Sequence, residues 1–293
     1  MRARRDCAPG SERGVSVEGV PAVMQPSTRI RLVALDLDGT LIGEDLTLRP
    51  RVRAAVASAL ARGVAVTIVT GRMFAATKPY ARALGIDAPV VCYQGAAIFD
   101  VASGTTIRQI PVRPDVTREV LDWAHDHGVH PQCYADDTLY LEQINRFSER
   151  YTALARVVPV VVPSLRAAFA DRPTIKIVLV DDPAPSQAHL HDLGALLGER
   201  AYLTRSNPDF VEVIDPHVDK GEALRFVAGR LRIPLDETLA VGDAWNDVPL
   251  LEAAAIGVAM GSAPPELLAR ADAVVADVAH DGVAEALERY VLA

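Results

Sequence analysis

The sequence is poor in the features that mark several protein classes. Its three cysteines, Cys7, Cys92 and Cys133, stand far apart in 293 residues. No CxxC pair and no Cys/His group with zinc spacing occurs, so neither a disulfide framework nor a zinc ribbon is indicated. A reducing cytoplasm is the simpler setting. No apolar run approaches the roughly 20 residues that cross a bilayer. The best stretch, Ala253–Met260, is short and contains Gly257. Positive charge is also scarce: 30 Lys and Arg against 38 Asp and Glu leave a net charge of -8, which argues against a nucleic-acid binder with a general basic surface. A local basic pocket for an anion remains compatible with that balance. What the chain does have is apolar content, 50% of residues, and length enough for one large or two smaller domains with a proper core.

Residues 1–28 carry Arg2, Arg4 and Arg5, then Pro, Gly and Ser, with no apolar h-region. They do not fit a secretory signal, and acidic residues interrupt any transit-peptide character. They read as a disordered tail, with Met24 as an alternative start. From Ile30 the pattern changes. An apolar run over 30–35 ends in Asp36, a helical stretch follows over 50–62, and a second run over 64–69 ends in Thr70-Gly71-Arg72. A helix over 73–84 and a third run, Pro89–Tyr93, complete a rhythm that predicts an open parallel α/β sheet. The middle differs: helices near 114–127, 145–156 and 186–198 alternate with paired short strands, which predicts an α+β unit with an antiparallel sheet. The last third returns to α/β. The expected organisation is a core of 29–111 and 216–293, split by an inserted α+β cap of 112–215.

Chemistry collects at the carboxyl ends of the predicted core strands, where ligands of such sheets bind. Asp36-Leu37-Asp38-Gly39-Thr40 sets two carboxylates two residues apart just past an apolar strand. One carboxylate can be a nucleophile that also ligates a hard cation, the other a proton donor and acceptor. Mg²⁺ suits such a place, since it takes few protein carboxylates and keeps waters and phosphate oxygens. Thr70 offers a hydroxyl and Gly71 a close backbone approach to an anion. Lys220 supplies a cation before a helix. Gly242-Asp243-Ala244-Trp245-Asn246-Asp247 adds two more carboxylates. Each alone reads as a turn, a cap or a surface charge; four in this order do not.

With these four motifs the chain resembles the haloacid dehalogenase-like phosphatases, in their Cof-like group with a large α/β cap. DLDGT (36–40), Thr70 in TGR, Lys220 in DKGEAL and GDAWND (242–247) carry the resemblance, supported by Asn207-Pro-Asp-Phe-Val-Glu-Val ahead of the third motif. It implies a Rossmann-like parallel-sheet core with an inserted cap. It implies a Mg²⁺-dependent phosphatase of a small phosphorylated metabolite, a sugar phosphate above others. Asp36 would form an aspartyl-phosphate and Asp38 would act as acid and base. Asp36, the backbone carbonyl of Asp38 and Asp243 would hold Mg²⁺, with Asp247 in support. Gly39, Thr70, Gly71, Arg72, Lys220 and Asn246 are the expected phosphate contacts. A phosphomutase or a dedicated biosynthetic sugar-phosphate phosphatase are rivals on the same scaffold, and a non-catalytic sugar-phosphate sensor is disfavoured by Asp38. The implied partner is the small substrate alone, without nucleic acid or membrane, for a cytoplasmic monomer or small homo-oligomer.

Two positions depart from the family. Gln94-Gly95-Ala96 stands where Asn-Gly-Ala is common, keeping the amide and adding a methylene. Trp245 is bulky for its place and is expected to pack. His125, His127 and His130 are read as a solvated helix C-terminus rather than a metal site. Tyr134, Tyr140, Glu142, Arg146 and Arg205 are cap residues available to a substrate.

Overall fold

The computed structural model describes residues 29–293 apart from residue 156, so the expectation for residues 1–28 lies outside the described residues. The strands, in chain order, are β1 (Leu32–Leu35), β2 (Ala65–Ile68), β3 (Val90–Cys92), β4 (Ala97–Phe99), β5 (Thr106–Gln109), β6 (His130–Ala135) and β7 (Thr138–Leu141). They continue as β8 (Val160–Val161), β9 (Lys176–Val180), β10 (Tyr202–Thr204), β11 (Phe210–Ile214), β12 (Thr238–Gly242), β13 (Ile256–Met260) and β14 (Ala273–Val275).

Strands β14, β13, β12, β1 and β2 lie side by side, all parallel. A parallel sheet needs both faces covered, and the residues of β1 alternate accordingly. Leu32 and Ala34 pack among Ala223, Leu224 and Val227 of the helix Lys220–Leu231. Val33 and Leu35 pack among Val52 and Val56 of the helix Pro50–Ala61 and Leu287 of the helix Gly282–Tyr290. With β1 central and apolar on both sides, the first polar residue after it falls at the carboxyl edge of the sheet.

A second sheet, in the order β10-β11-β9-β6-β7-β8, is antiparallel except where β7 meets β8. Its two faces also sort by alternation. Cys133, Ile177, Leu179, Val211 and Val213 pack with Val116 and Val120 of the helix Pro114–His127 and Leu193 of the helix Pro183–Leu197. Tyr134, Val178, Phe210 and Ile214 belong instead to the apolar cluster shared with the first sheet. One face of this cap is therefore sealed by its own helices and the other is turned to the core. The hairpin turn Asp136-Asp137, left-handed at both residues (φ 49° and 53°), reaches across as well. Asp137 Oδ1 accepts the backbone N–H of Phe74 and the Tyr93 hydroxyl, each at 2.8 Å.

The third apolar run joins the parallel sheet more narrowly than expected, lying parallel beside the end of β2 at one bridge. Strand β3 pairs antiparallel with β4, and β4 with β5, in a separate three-stranded sheet that meets β2 through the single bridge Val69–Val91. Proline is the physical reason. Pro89 has no N–H to donate to a ladder, and its carbonyl is taken by the Thr67 hydroxyl at 2.6 Å. The predicted strand near 157–162 contracts to Val160–Val161 between Pro159 and Pro163 for the same reason.

Candidate active site

The backbone N–H of Asp36 still donates to Val241 at 3.0 Å, so the nucleophile candidate is the last residue held by the β1–β12 ladder. Two residues on, Asp38 is far more open, with its side chain 45% exposed. Between them and Thr40 the chain turns at Gly39 in a left-handed conformation (φ 81°), where a Cβ would stand 2.1 Å from Asp243 Oδ2. Only glycine satisfies both the dihedral and the close approach. Thr40 Oγ1 donates to Asp243 Oδ1 at 2.9 Å, joining the first motif to the fourth.

The fourth motif follows β12 and is organised by Asp247. Its Oδ2 accepts the backbone N–H groups of Asp243 and Ala244, each at 3.0 Å, while Oδ1 takes Lys220 Nζ at 2.5 Å. Lys220 opens the helix Lys220–Leu231, whose Asp219 cap accepts the Glu222 N–H at 2.7 Å. Its ammonium also lies 2.6 Å from Asp36 Oδ1 and is almost fully buried. The second motif turns at the end of β2. Thr70 is buried, and its hydroxyl oxygen accepts the Arg72 N–H at 3.1 Å.

Charge in this cluster is not balanced. Asp36, Asp243 and Asp247 each bring a carboxylate oxygen within 4.8 Å of the others, and Lys220 is the one cation bonded to them among the described residues. Burial pushes Asp36 well above the usual carboxylate range; Lys220 opposes this, and Asp247 and Asp243 add to it. Burial, then the Asp247 charge, pushes Asp243 up to about 7. Burial acts to lower Lys220, but Asp247 and Asp36 outweigh it and hold its ammonium charged. Three hard oxygen donors with one lysine between them fit a small divalent cation, which would bring the missing positive charge.

Asp36, Asp38, Gly39, Thr70, Gly71, Arg72 and Asn246 line one cavity of about 260 Å³, whose opposite wall is Lys176, Val178, Ser206, Asn207 and Phe210 of the cap. The first-motif pair, the second-motif loop and Asn246 are thus brought together, with Lys220, Asp243 and Asp247 beneath them. Arg72 is not free to meet a phosphate in this arrangement. Its guanidinium grips Asp38 in a bidentate pair, Nε to Oδ2 at 2.7 Å and Nη2 to Oδ1 at 2.5 Å. Asn246 Nδ2 donates to Gln94 Oε1 at 3.0 Å. Trp245, expected to pack, is instead 40% exposed, with the Arg205 guanidinium 5.3 Å over its ring.

The cap candidates fare differently. Tyr134, Tyr140, Glu142, Arg146 and Arg205 are absent from the cavity wall. Tyr134 is buried edge-on against Tyr93, Glu142 caps the Leu165 N–H at 2.7 Å, and Arg146 pairs with Asp182. His125 and His127 end a helix in solvent, but His130 is a buried residue of β6, and no histidine joins a metal-ligand group among the described residues. Sequence reasoning missed Lys176 and Glu212, which are paired at 2.7 Å in the cap wall. Their signal was a charge in an otherwise apolar strand, at the start of Lys176-Ile-Val-Leu-Val and in the middle of Phe210-Val-Glu-Val-Ile.

A parallel α/β core with acidic motifs at its strand ends, closed by a mixed α+β cap, defines a capped hydrolase. The chain matches the model of the haloacid dehalogenase-like hydrolases over residues 33–287, and it belongs to that family. Among curated relatives it is 29% identical over 278 residues to the pyridoxal phosphate phosphatase YbhA of Escherichia coli, covering 89% of this chain and 99% of the relative. It is 29% identical over 252 residues to the HMP-PP phosphatase of an Enterobacter species, covering 82% and 87%. The solved structure of TM0651 from Thermotoga maritima superposes with a TM-score of 0.76 at 28% identity, covering 89% and 97%. The protein is a phosphoric monoester hydrolase whose relatives act on small phosphorylated molecules. No helix among the described residues is long and apolar enough to cross a membrane.

Proposed function

We propose that the protein is a Mg²⁺-dependent phosphatase that hydrolyses a small phosphorylated metabolite, a sugar phosphate, through an aspartyl-phosphate on Asp36. The observation that carries this reading is the under-neutralised trio of buried Asp36 and Asp247 with half-buried Asp243, beside a half-exposed Asp38 that lines the cavity with Asp36. Asp36 attacks phosphorus while Asp38 gives its proton to the leaving oxygen, and the alcohol departs. Asp38 then takes a proton from the water that attacks the aspartyl-phosphate, which releases phosphate and restores Asp36. Asp36, Asp243 and the carbonyl of Asp38, with Asp247 in support, would hold Mg²⁺, which when bound neutralises charge on the phosphoryl oxygens. Lys220 offsets the crowding of Asp36 and Asp247 and, with Thr70, holds the phosphoryl oxygens beside Gly71. Gly39 lets the first loop close under it.

In this reading residues 29–111 and 216–293 are the catalytic core and 112–215 the cap that excludes water and selects the ester. The enzyme acts in the cytoplasm as a monomer or small homo-oligomer. The test is a panel of phosphate esters, with p-nitrophenyl phosphate as the generic member, assayed with Mg²⁺ and with chelator. Hydrolysis should require the cation and fall by at least about a thousandfold in Asp36→Asn. Turnover that persists in chelator or in that variant overturns the mechanism.

A further inference from the structure

The helix Phe74–Ala83, which follows the second motif, has no cap of its own. Met73 stands at the capping position, where its side chain accepts nothing, and the first turn holds no acidic residue. The first N–H groups of a helix need acceptors from outside it. The cap supplies one: Asp137 Oδ1, in the turn between β6 and β7, accepts the Phe74 N–H at 2.8 Å. A carboxylate is a strong partner there, for its hydrogen bond and for its charge at the positive end of the helix. Asp137 lies 63 residues along the chain, in the other domain.

The same oxygen accepts the Tyr93 hydroxyl at 2.8 Å. Tyr93 and Gln94 are both left-handed (φ 53° and 62°), an unusual conformation for side chains of their size. Their backbone is laddered to the second motif: the Tyr93 N–H donates to the Arg72 carbonyl and the Gln94 N–H to the Thr70 carbonyl, each at 3.0 Å. One cap carboxylate thus ties the chain just after Arg72 to the chain paired with Arg72. Burial pushes the Asp137 carboxyl up, while the bonds from Tyr93 and the N–H groups of Phe74 and Ala75 favour its ionised form. A second cap group, Lys176 Nζ, takes the Gly71 carbonyl at 2.8 Å. Arg72 lies between these two grips, and its guanidinium holds both oxygens of Asp38.

Resting on the phosphatase reading above, we infer that Asp137 is a positioning residue: by capping the helix at Phe74 and pinning Tyr93, it fixes Arg72, and through Arg72 the Asp38 carboxyl, when the cap is closed on the core. Asp137 belongs to the cap, and Arg72 and Asp38 to the core. Proton delivery to the leaving oxygen is thereby tied to closure, and an open enzyme holds its acid and base less well placed.

The test measures kcat/KM for p-nitrophenyl phosphate and for phenyl phosphate, whose more basic leaving oxygen depends more on a proton from Asp38. Asp137→Gly keeps the left-handed turn and deletes the carboxylate. Asp137→Asn keeps an oxygen for both donors. Asp137→Gly should lower kcat/KM for phenyl phosphate about tenfold more than for p-nitrophenyl phosphate, in keeping with the worth of one helix cap. Asp137→Asn should stay within about threefold of wild type on both esters. Tyr93→Phe removes one donor and leaves the carboxylate; it should shift the ratio the same way by about threefold, and it decides the matter where Asp137→Gly does not fold. Equal losses on the two esters, a folded Asp137→Gly without loss, an Asp137→Asn as impaired as Asp137→Gly, or an unchanged ratio in Tyr93→Phe overturns the inference. So does a wild-type protein that turns over p-nitrophenyl phosphate and leaves phenyl phosphate intact. Absence of any p-nitrophenyl phosphate hydrolysis with Mg²⁺ counts instead against the phosphatase reading itself.

Discussion

Asp243→Asn should make the metal-free protein more stable while it removes cation binding. The folded chain pushes this carboxyl from 3.8 up to about 7, through burial and then the Asp247 charge. Ionising it in the fold therefore costs about 4 kcal/mol more than in the unfolded chain, at 1.36 kcal/mol per pH unit. The sign follows from linkage. A carboxyl whose folded value is raised favours the fold while protonated, so its stabilising contribution is complete below 3.8 and is lost as pH rises through about 7. Asparagine keeps an oxygen for the Thr40 hydroxyl and drops the charge. Near pH 8 in chelator the variant should gain about 2–4 kcal/mol, or roughly 5–10 °C in apparent melting temperature. Near pH 4.5 the gain should shrink to about 1 kcal/mol. Mg²⁺ should raise the melting temperature of the wild-type protein and leave the variant's unchanged. Thermal unfolding followed by circular dichroism across pH reads all three. A variant no more stable than wild type near pH 8 in chelator would refute the claim that the carboxylates are short of positive charge.

Three further perturbations probe the same cluster. Lys220→Met strands Asp36 and Asp247 without their cation, and should cost about 3–5 kcal/mol in metal-free denaturant unfolding, with part of the loss restored by Mg²⁺. Gly39→Ala forces a Cβ against Asp243 at a left-handed position, and should weaken Mg²⁺ binding by calorimetry at least about tenfold even where the protein folds. Arg72→Lys keeps the charge but loses the fork on Asp38, and should lower kcat more than it raises KM, by roughly tenfold.

The part of the site that the sequence makes legible is the part whose geometry is local. A strand such as β1 ends, the next residues must leave the sheet, and Asp36, Asp38 and Gly39 declare by type what the turn will present. The same logic reaches Thr70, Lys220 and Asp243. The core and cap follow because a continuous apolar run with a polar stop, followed by a helix, differs from paired short strands between helices. Illegible were the arrangements decided by a partner far along the chain. Arg72 reads as an anion contact until Asp38, 34 residues away, is found in its fork. Pro89 reads as a strand start until the missing N–H is set against the ladder of β2.

Lys176 and Glu212 show where the two kinds of information meet. Each was visible as a charge at a position where alternation demands burial, and a buried charge needs a partner or loses its charge. The sequence could state that need without saying who meets it. The fold answers by placing the two on neighbouring strands β9 and β11, 36 residues apart, on the one cap face not sealed by the cap's own helices. An ion pair buried on that face can only be covered by the core. Opening the cap would expose the pair to water and break its bonds to Gly71 and Gln94. A substitution that loosens the cap should therefore disturb the fourth motif without touching it.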